Sequence, residues 1–352
     1  MSTAEFVHKQ ASHIRRRSVP LRLLTITILL IVIGLAVVAW CMTWLEQRRL
    51  LLFSQEVRSF GGEITTKPIF ELGFRSLCGL PEVGHVSLRR ARPPVGWFAR
   101  LSSVPEIQSL DLQNTSFGDK DMSALLPLRR LTWINLSQTR VTNEGVSYLQ
   151  SLPTLQVLEL SETKIDDRGL AMVADLQPLQ SLKLDRTAVR DSGLAALGRM
   201  IHLKELSLSE TSVGDVGVGH LRGLQELEWL SLNSTKVTDE AMGVIASFYR
   251  LRGLELGGTA ITDVGLSRLK RIPNLEWINL QGTGIADAGV VVLKCITQLQ
   301  KIDLSSAPVT NASVESLGCI QTLTWIDIRE TKINYEGFEQ LRKRLPRCQV
   351  IW

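Results

Sequence analysis

Leu251-Arg-Gly-Leu254-Glu-Leu256-Gly-Gly-Thr259-Ala-Ile261-Thr-Asp263-Val-Gly265-Leu266-Ser-Arg-Leu269 is the stretch whose reading decides the fold. Leu254 and Leu256 alternate with polar or small neighbours, the period-two mark of a strand with one buried face. Asp263 stands where a helix N-cap belongs, with a carboxylate able to accept from the free amides of a first turn. Leu266 and Leu269 follow at helical spacing, and Ile272 closes the apolar set. The stretch therefore predicts a short strand, a turn and a helix. One such unit cannot bury both its apolar faces, so it requires neighbours of its own kind.

Those neighbours are present. Thr115, Thr139, Thr163, Thr187, Thr211, Thr235, Thr259 and Thr283 recur with an unbroken period of 24; Ala307 takes the next slot and Thr331 the last. Around each runs L-x-x-L-x-L-x-x-T-x-[IV]-x-[DN]-x-G-[LV]-x-x-L. Ten units covering residues 107–346 start at Ile107, Leu131, Leu155, Leu179, Leu203, Leu227, Leu251, Leu275, Leu299 and Leu323, with no insertion. Stacked units share a continuous leucine core between a parallel sheet and a layer of helices. The predicted class is thus an α/β solenoid with the sheet on the concave side and the helices on the convex side.

The pattern resembles the leucine-rich repeat family, in the 24-residue variant whose unit ends in a helix and carries T-D-x-G-L. The whole layout resembles bacterial membrane-anchored leucine-rich repeat proteins. A degenerate unit extends the resemblance upstream, with Val83, Val86, Leu88 and Ala91 in the equivalent slots. The family usually places Asn or Cys where this chain has Thr. A Thr hydroxyl can still bond loop backbone, but the family's amide ladder is expected to be absent. The resemblance implies a binding module and leaves the ligand unnamed.

The formal charge is +5, and the eight Lys and Arg against three acids in residues 1–60 account for all of it. Residues 61–352 are neutral overall, which disfavours a nucleic-acid partner. Leu23–Leu45 holds no charged residue, and about 20 apolar residues cross a bilayer. Trp40 and Trp44 sit near its end as interfacial aromatics do, and Arg15, Arg16, Arg17 and Arg22 precede it. The expectation is a single-pass membrane protein: cytoplasmic tail at 1–22, transmembrane helix at 23–45, and repeats outside the cytoplasmic membrane. A cleaved signal peptide ending at Val37-Val38-Ala39 is the alternative, against which the long leader and the continuing apolar run argue. Residues 46–106 are expected to form an N-terminal cap with one degenerate repeat: an amphipathic helix over Leu50–Gly62, a first strand at Glu63-Ile64-Thr65, then the unit at Val83. Residues 347–352 are expected to form a capping strand, with Val350 and Trp352 in its buried slots.

Catalytic motifs are missing. His8, His13, His85, His202 and His220 lack metal-ligand spacing, and there is no Gly-x-Ser-x-Gly, phosphate-binding Lys loop or Cys-x-x-Cys. No catalytic residue, metal or cofactor is therefore expected. Asp119, Asp167, Asp191, Asp215, Asp239, Asp263 and Asp287 read as helix caps rather than calcium ligands. Cys295 and Cys319 share a slot in adjacent repeats and are favoured as free thiols over a bridge; Cys78 has no evident partner.

The candidate binding site is the exposed side of the sheet. Trp133, Trp229, Trp277 and Trp325 share the slot before the first strand leucine, the last three in every second repeat. At the strand spacing those three would stand roughly 10 Å apart. Gly253 would leave an open slot between the first pair, and Lys301 would make a cation–π contact between the second. Asn279, Asp303 and Asp327 complete the candidate set, although the indoles also suit the simpler job of lying flat on neighbouring strands. Twelve acids against six bases on this face disfavour a polyanion. Three functions follow in order: a non-enzymatic protein- or peptide-binding module anchored in the membrane; a carbohydrate or cell-wall binder; and a ubiquitin-ligase-type substrate adaptor. The last rests on the likeness of T-D-x-G-L repeats to F-box proteins, and no F-box-like segment stands before the repeats.

Overall fold

The structure is a computed structural model that describes residues 21–67 and 82–352. Most of the basic tail and Cys78 lie outside the described residues. The chain divides into two compact units, residues 1–53 with 68–80 and residues 54–67 with 81–352. What is described of the first is helix α1 (Leu21–Ser59) as far as Phe53. This helix is long and apolar enough to cross a membrane, and its large apolar side chains from Ile26 to Leu45 are exposed. The separate cap helix expected from Leu50 is instead the continuation of α1. No Gly or Pro lies between Leu45 and Phe60, so nothing in the chain breaks the helix there. Gly61, at φ 86°, ends it: the Gly61 and Gly62 N–H groups return to the carbonyls of Arg58 and Val57.

The second unit is a solenoid. Among the described residues thirteen strands form one sheet in chain order. Strand β1 (Glu63–Lys67) runs antiparallel to β2 (Glu82–Ser87), and every later pair is parallel. From β3 (Ser109–Asp111) to β13 (Gln349–Ile351) each strand is three residues long and starts one repeat period after the last. Leu254, Leu256, Ile261, Leu266 and Leu269 are fully buried, as are their counterparts one repeat either side. Each such side chain contributes about 1.5–3 kcal/mol on leaving water. The opposite layer is built of short helices, such as Asp191–Leu197 and Asp287–Leu293, and 3-10 turns, such as Asp119–Leu125. Helices are wider than the roughly 4.8 Å strand spacing, so the sheet takes the inside of the curve.

The carboxylate read as a helix cap does something else. The capping residue is the one before it: Thr262 Oγ1 accepts from the Val264 N–H, and Thr142, Asp166 and Thr310 act alike. Asp263 instead accepts the Ala286 N–H of the next repeat at 2.8 Å. Asp119, Asn143, Asp167, Asp191, Asp215, Asp239, Asp287 and Asn311 do the same, at 2.7–3.1 Å. The ladder between repeats that the Thr slot does not supply thus runs along the helix starts instead. The Thr slot stays within its own repeat, each hydroxyl donating three residues back, as Thr283 does to Leu280 O at 2.7 Å.

The ladder also explains the repeat glycine. A Cβ on Gly145, Gly169, Gly193, Gly217, Gly265, Gly289 or Gly337 would overlap Oδ1 of the preceding repeat's Asp or Asn. Where Ala241 takes this slot, the helix starts late, at Met242. Ser313 takes it once more, on a 3-10 turn, and donates its hydroxyl to Asp287.

The chain's end differs from expectation. Val350 pairs with Ile326 and is half-buried, but Trp352 is 52% exposed. Its indole stacks on Phe338 at 5.2 Å and donates to Ile333 O.

Asp263→Ala is expected to cost roughly 1–3 kcal/mol by orphaning the Ala286 N–H, and Gly289→Ala a similar amount by overpacking. The double variant should cost less than the sum, because removing the carboxylate opens the space the new methyl needs. Urea unfolding of the four proteins checks this; strict additivity would refute the shared-space account.

Candidate functional site

Parallel register turns each slot of the repeat into a row across the sheet. The row containing the tryptophans runs Glu205, Trp229, Gly253, Trp277, Lys301, Trp325 over strands β7 (Glu205–Ser207), β8 (Trp229–Ser231), β9 (Gly253–Glu255), β10 (Trp277–Asn279), β11 (Lys301–Asp303) and β12 (Trp325–Asp327). Trp229 lies flat over Gly253, where a Cβ would overlap Cδ2, Cε3 and Cζ3 of the indole. The expected open slot is therefore filled. Nor do Trp277 and Trp325 keep two strand spacings between them: their rings reach across the Lys301 strand to a centroid distance of 5.4 Å, tilted by 47°. An indole is wide enough to span the gap that a small or mobile-stemmed residue leaves between alternate strands. Lys301 is exposed, and the cation–π pairs of the described residues do not include it. Trp133 lies far along the row, 6.0 Å from the His85 ring.

The next row, two residues on, serves the backbone. Asn279 accepts from Gln281 N–H and Asp303 from Ser305 N–H, each at 2.9 Å, as Asp111 and Asn135 do for residues two further on. These are Asx turns closing each strand. Asp327 is 1% exposed and bound by Arg329 through its N–H and its guanidinium. Where this row holds Lys183 or Ser231 instead, Asp185 and Asn233 reach the same N–H of the following repeat, Ser209 and Gly257. Asn279, Asp303 and Asp327 thus have structural bonds already.

What the geometry brings together is a groove of about 610 Å³ across β7–β11. Trp229 and Trp277 form its apolar surface, Glu205, Glu228, Glu255 and Glu276 supply carboxylates, and Arg252, Lys301 and Gln300 complete it. Arg252 is held by Glu276 at 2.8 Å. Glu205 accepts from Ser181 at 2.9 Å, and Glu255 from Ser231 and Asn233 at 2.8 and 2.6 Å. Nε1 of Trp277 is buried without an acceptor among the described residues. Past the strand ends Arg186 bridges Glu162 and Glu210, and its hydrogen bond holds the Glu210 carboxyl below the usual range.

A family model described as "Leucine Rich repeat" matches residues 151–174 and 199–221. A Listeria monocytogenes internalin of known structure superposes with a TM-score of 0.53 at 20% identity, over 79% of this chain and 93% of the internalin. The fold is that of a leucine-rich repeat solenoid. The crystal structure of a TDR receptor also superposes, with a TM-score of 0.51 at 17% identity, over 80% of this chain and 52% of the receptor. No curated protein sequence matches.

In this solenoid the repeat pattern marks the tryptophans and the acids but not their grouping. Gln300 was missed altogether, since a Gln before a strand carries no signal of its own. The concentration of Glu205, Glu228 and Glu255 around one indole could have been found by laying the repeats in register. Gly253→Ala is expected to lift Trp229 off the sheet. In 5-fluorotryptophan-labelled protein its ¹⁹F resonance, assigned with Trp229→Phe, should shift while that of Trp133 stays; an unmoved Trp229 resonance would refute the stacking.

Proposed function

We propose that this protein is a non-enzymatic recognition module, held in a membrane by α1, that binds an extended protein or peptide segment through the groove across β7–β11. The observation that carries this reading is the groove itself. Two accessible indoles and four carboxylates meet on a face whose other polar row is occupied by its own backbone. Indoles in such settings dominate binding energy, because they bury large apolar areas at little entropic cost.

The carbohydrate reading draws less from this geometry. It needed an open slot over Gly253 and free amide and carboxylate groups at Asn279 and Asp303, and all three are taken. Nothing on the face favours a ligase adaptor, and its carboxylates disfavour nucleic acid. The outside placement rests on Arg15, Arg16, Arg17 and Arg22 preceding the apolar helix.

Peptides selected from a random library on the full chain in detergent micelles should lose about tenfold or more in affinity on Trp277→Ala, a loss of roughly 1.4 kcal/mol. Selected peptides that bind both proteins equally would move the site off the groove. Placement is tested separately through Cys295 and Cys319, which are free and exposed. With Cys41, Cys78 and Cys348 changed to Ser, a membrane-impermeant maleimide should label spheroplasts of a bacterial host; labelling only after lysis would put the repeats in the cytoplasm.

A further inference from the structure

The groove holds a narrower site, centred on Trp229. One face of this indole lies on Gly253, so the other is presented to solvent, and the residue is 36% exposed. Three carboxylates line the same depression beside it: Glu205 on β7, Glu228 just before the indole, and Glu255 on β9. Serine and asparagine groups fix Glu205 and Glu255 through one oxygen each, and the second oxygens accept nothing among the described residues. Nor does the Glu228 carboxylate have a hydrogen-bond or ion-pair partner there.

Of the nearby cations, two are paired with other carboxylates, and Lys204, beside Glu228 in its row, and Lys301 pair with none of these three. Arg252 is paired with Glu276 and Lys183 with Glu159. Lys301 lies three strands along the row, beyond Trp277. Lys204 makes no ion pair with its neighbours among the described residues. An exposed aromatic face thus stands beside three carboxylates that no cation among the described residues pairs with.

The geometry points to a binding site for an arginine side chain of a peptide lying across β7–β10, a proposal that rests on the peptide-binding reading above. The guanidinium plane stacks on the open face of Trp229, while its N–H edges bond the free oxygens of Glu205, Glu228 and Glu255. A planar guanidinium serves the aromatic face and the carboxylate rim together. A lysine ammonium is a compact, strongly hydrated charge that cannot stack, and a neutral side chain leaves the carboxylates unbalanced.

The test uses the full chain, labelled with 5-fluorotryptophan, in detergent micelles at low ionic strength. The probes are three octapeptides of glycine and serine that differ only in a central arginine, lysine or citrulline. The arginine peptide should shift the Trp229 ¹⁹F resonance saturably and bind about tenfold tighter than the citrulline peptide, with lysine between them. Glu228→Gln, which keeps the indole in place, should remove most of that preference, and Trp229→Leu should abolish it. Equal binding of the arginine and citrulline peptides, no saturable shift, or an unchanged preference in Glu228→Gln would each overturn the proposal. Library-selected peptides that depend on Trp277 but ignore Trp229 and Glu228 would sink the arginine site and leave the groove standing. Loss of the Trp277 dependence would sink the groove itself.

Discussion

The bond on which the rest of the solenoid depends is the one from an Asp or Asn at the start of each helical segment to the next repeat's backbone N–H. It occurs nine times without interruption, from Asp119–Thr142 to Asn311–Asn334. The leucine core is apolar and tolerates sliding, whereas a directed hydrogen bond does not. The ladder fixes one repeat on the next at the edge where the strand ladder has ended. In four repeats the second carboxylate oxygen also takes a threonine hydroxyl, at Thr142, Thr238, Thr262 and Thr310. For Asp287 burial works against the charge, yet the hydroxyls of Ser313 and Thr310 and the Thr310 N–H still hold its carboxyl below the usual range. The carboxylate is therefore ionised at neutral pH, where it is the stronger acceptor.

Much of this was written in the chain, though not always with its reason. The leucine slots, the strand positions and the repeat period followed from alternation and spacing alone. The Asp slot was visible, but the direction of its bond was not. With a strict repeat, an acceptor aimed into its own first turn and one aimed into the next repeat leave the same mark. The glycine two residues later has the same ambiguity: its recurrence suggests a turn, while its role is to leave room for a neighbour's carboxylate. A third recurring feature left no trace at all. The residue before each Thr slot takes a left-handed conformation, φ 54–67°, from Arg90 to Glu330. Only Gly258 and Gly282 are glycines; Arg186, Glu210 and Ser234 fill the same position, held there by the turn.

The site was legible to a similar depth. Four tryptophans in one slot stand out in any alignment of the units, and the acids beside them can be counted. Geometry then changed their meaning. Strand spacing alone separates alternate indoles by roughly 10 Å, but an indole leans into whatever its neighbour leaves empty. Trp229 covers Gly253, and Trp277 and Trp325 meet over Lys301. Asn279, Asp303 and Asp327 have the chemistry of ligand-binding residues. That same chemistry makes them good acceptors for an N–H two residues on, and a strand end always offers one. Between a distant ligand and a local amide the local amide wins, because it costs no association entropy.

Registration also decides how charge is distributed. On a sheet whose strands all start one repeat apart, a side chain's neighbours are its counterparts in the repeats before and after. Neutralisation therefore proceeds along rows: Lys183 with Glu159, Arg252 with Glu276, Arg186 with Glu162 and Glu210. A carboxylate can also stay unpaired beside a base in its own row, as Glu228 does between Lys204 and Arg252, and around Trp229 three carboxylates are without an ion pair among the described residues. Exposed pairs of this kind contribute little to stability, typically about 0–1 kcal/mol. The uneven charge is thus cheap for the fold to carry, and its consequence falls on whatever approaches the face. Neutrality of residues 61–352 as a whole and a local anionic cradle are compatible, because the ion pairs that balance charge elsewhere leave these three carboxylates out.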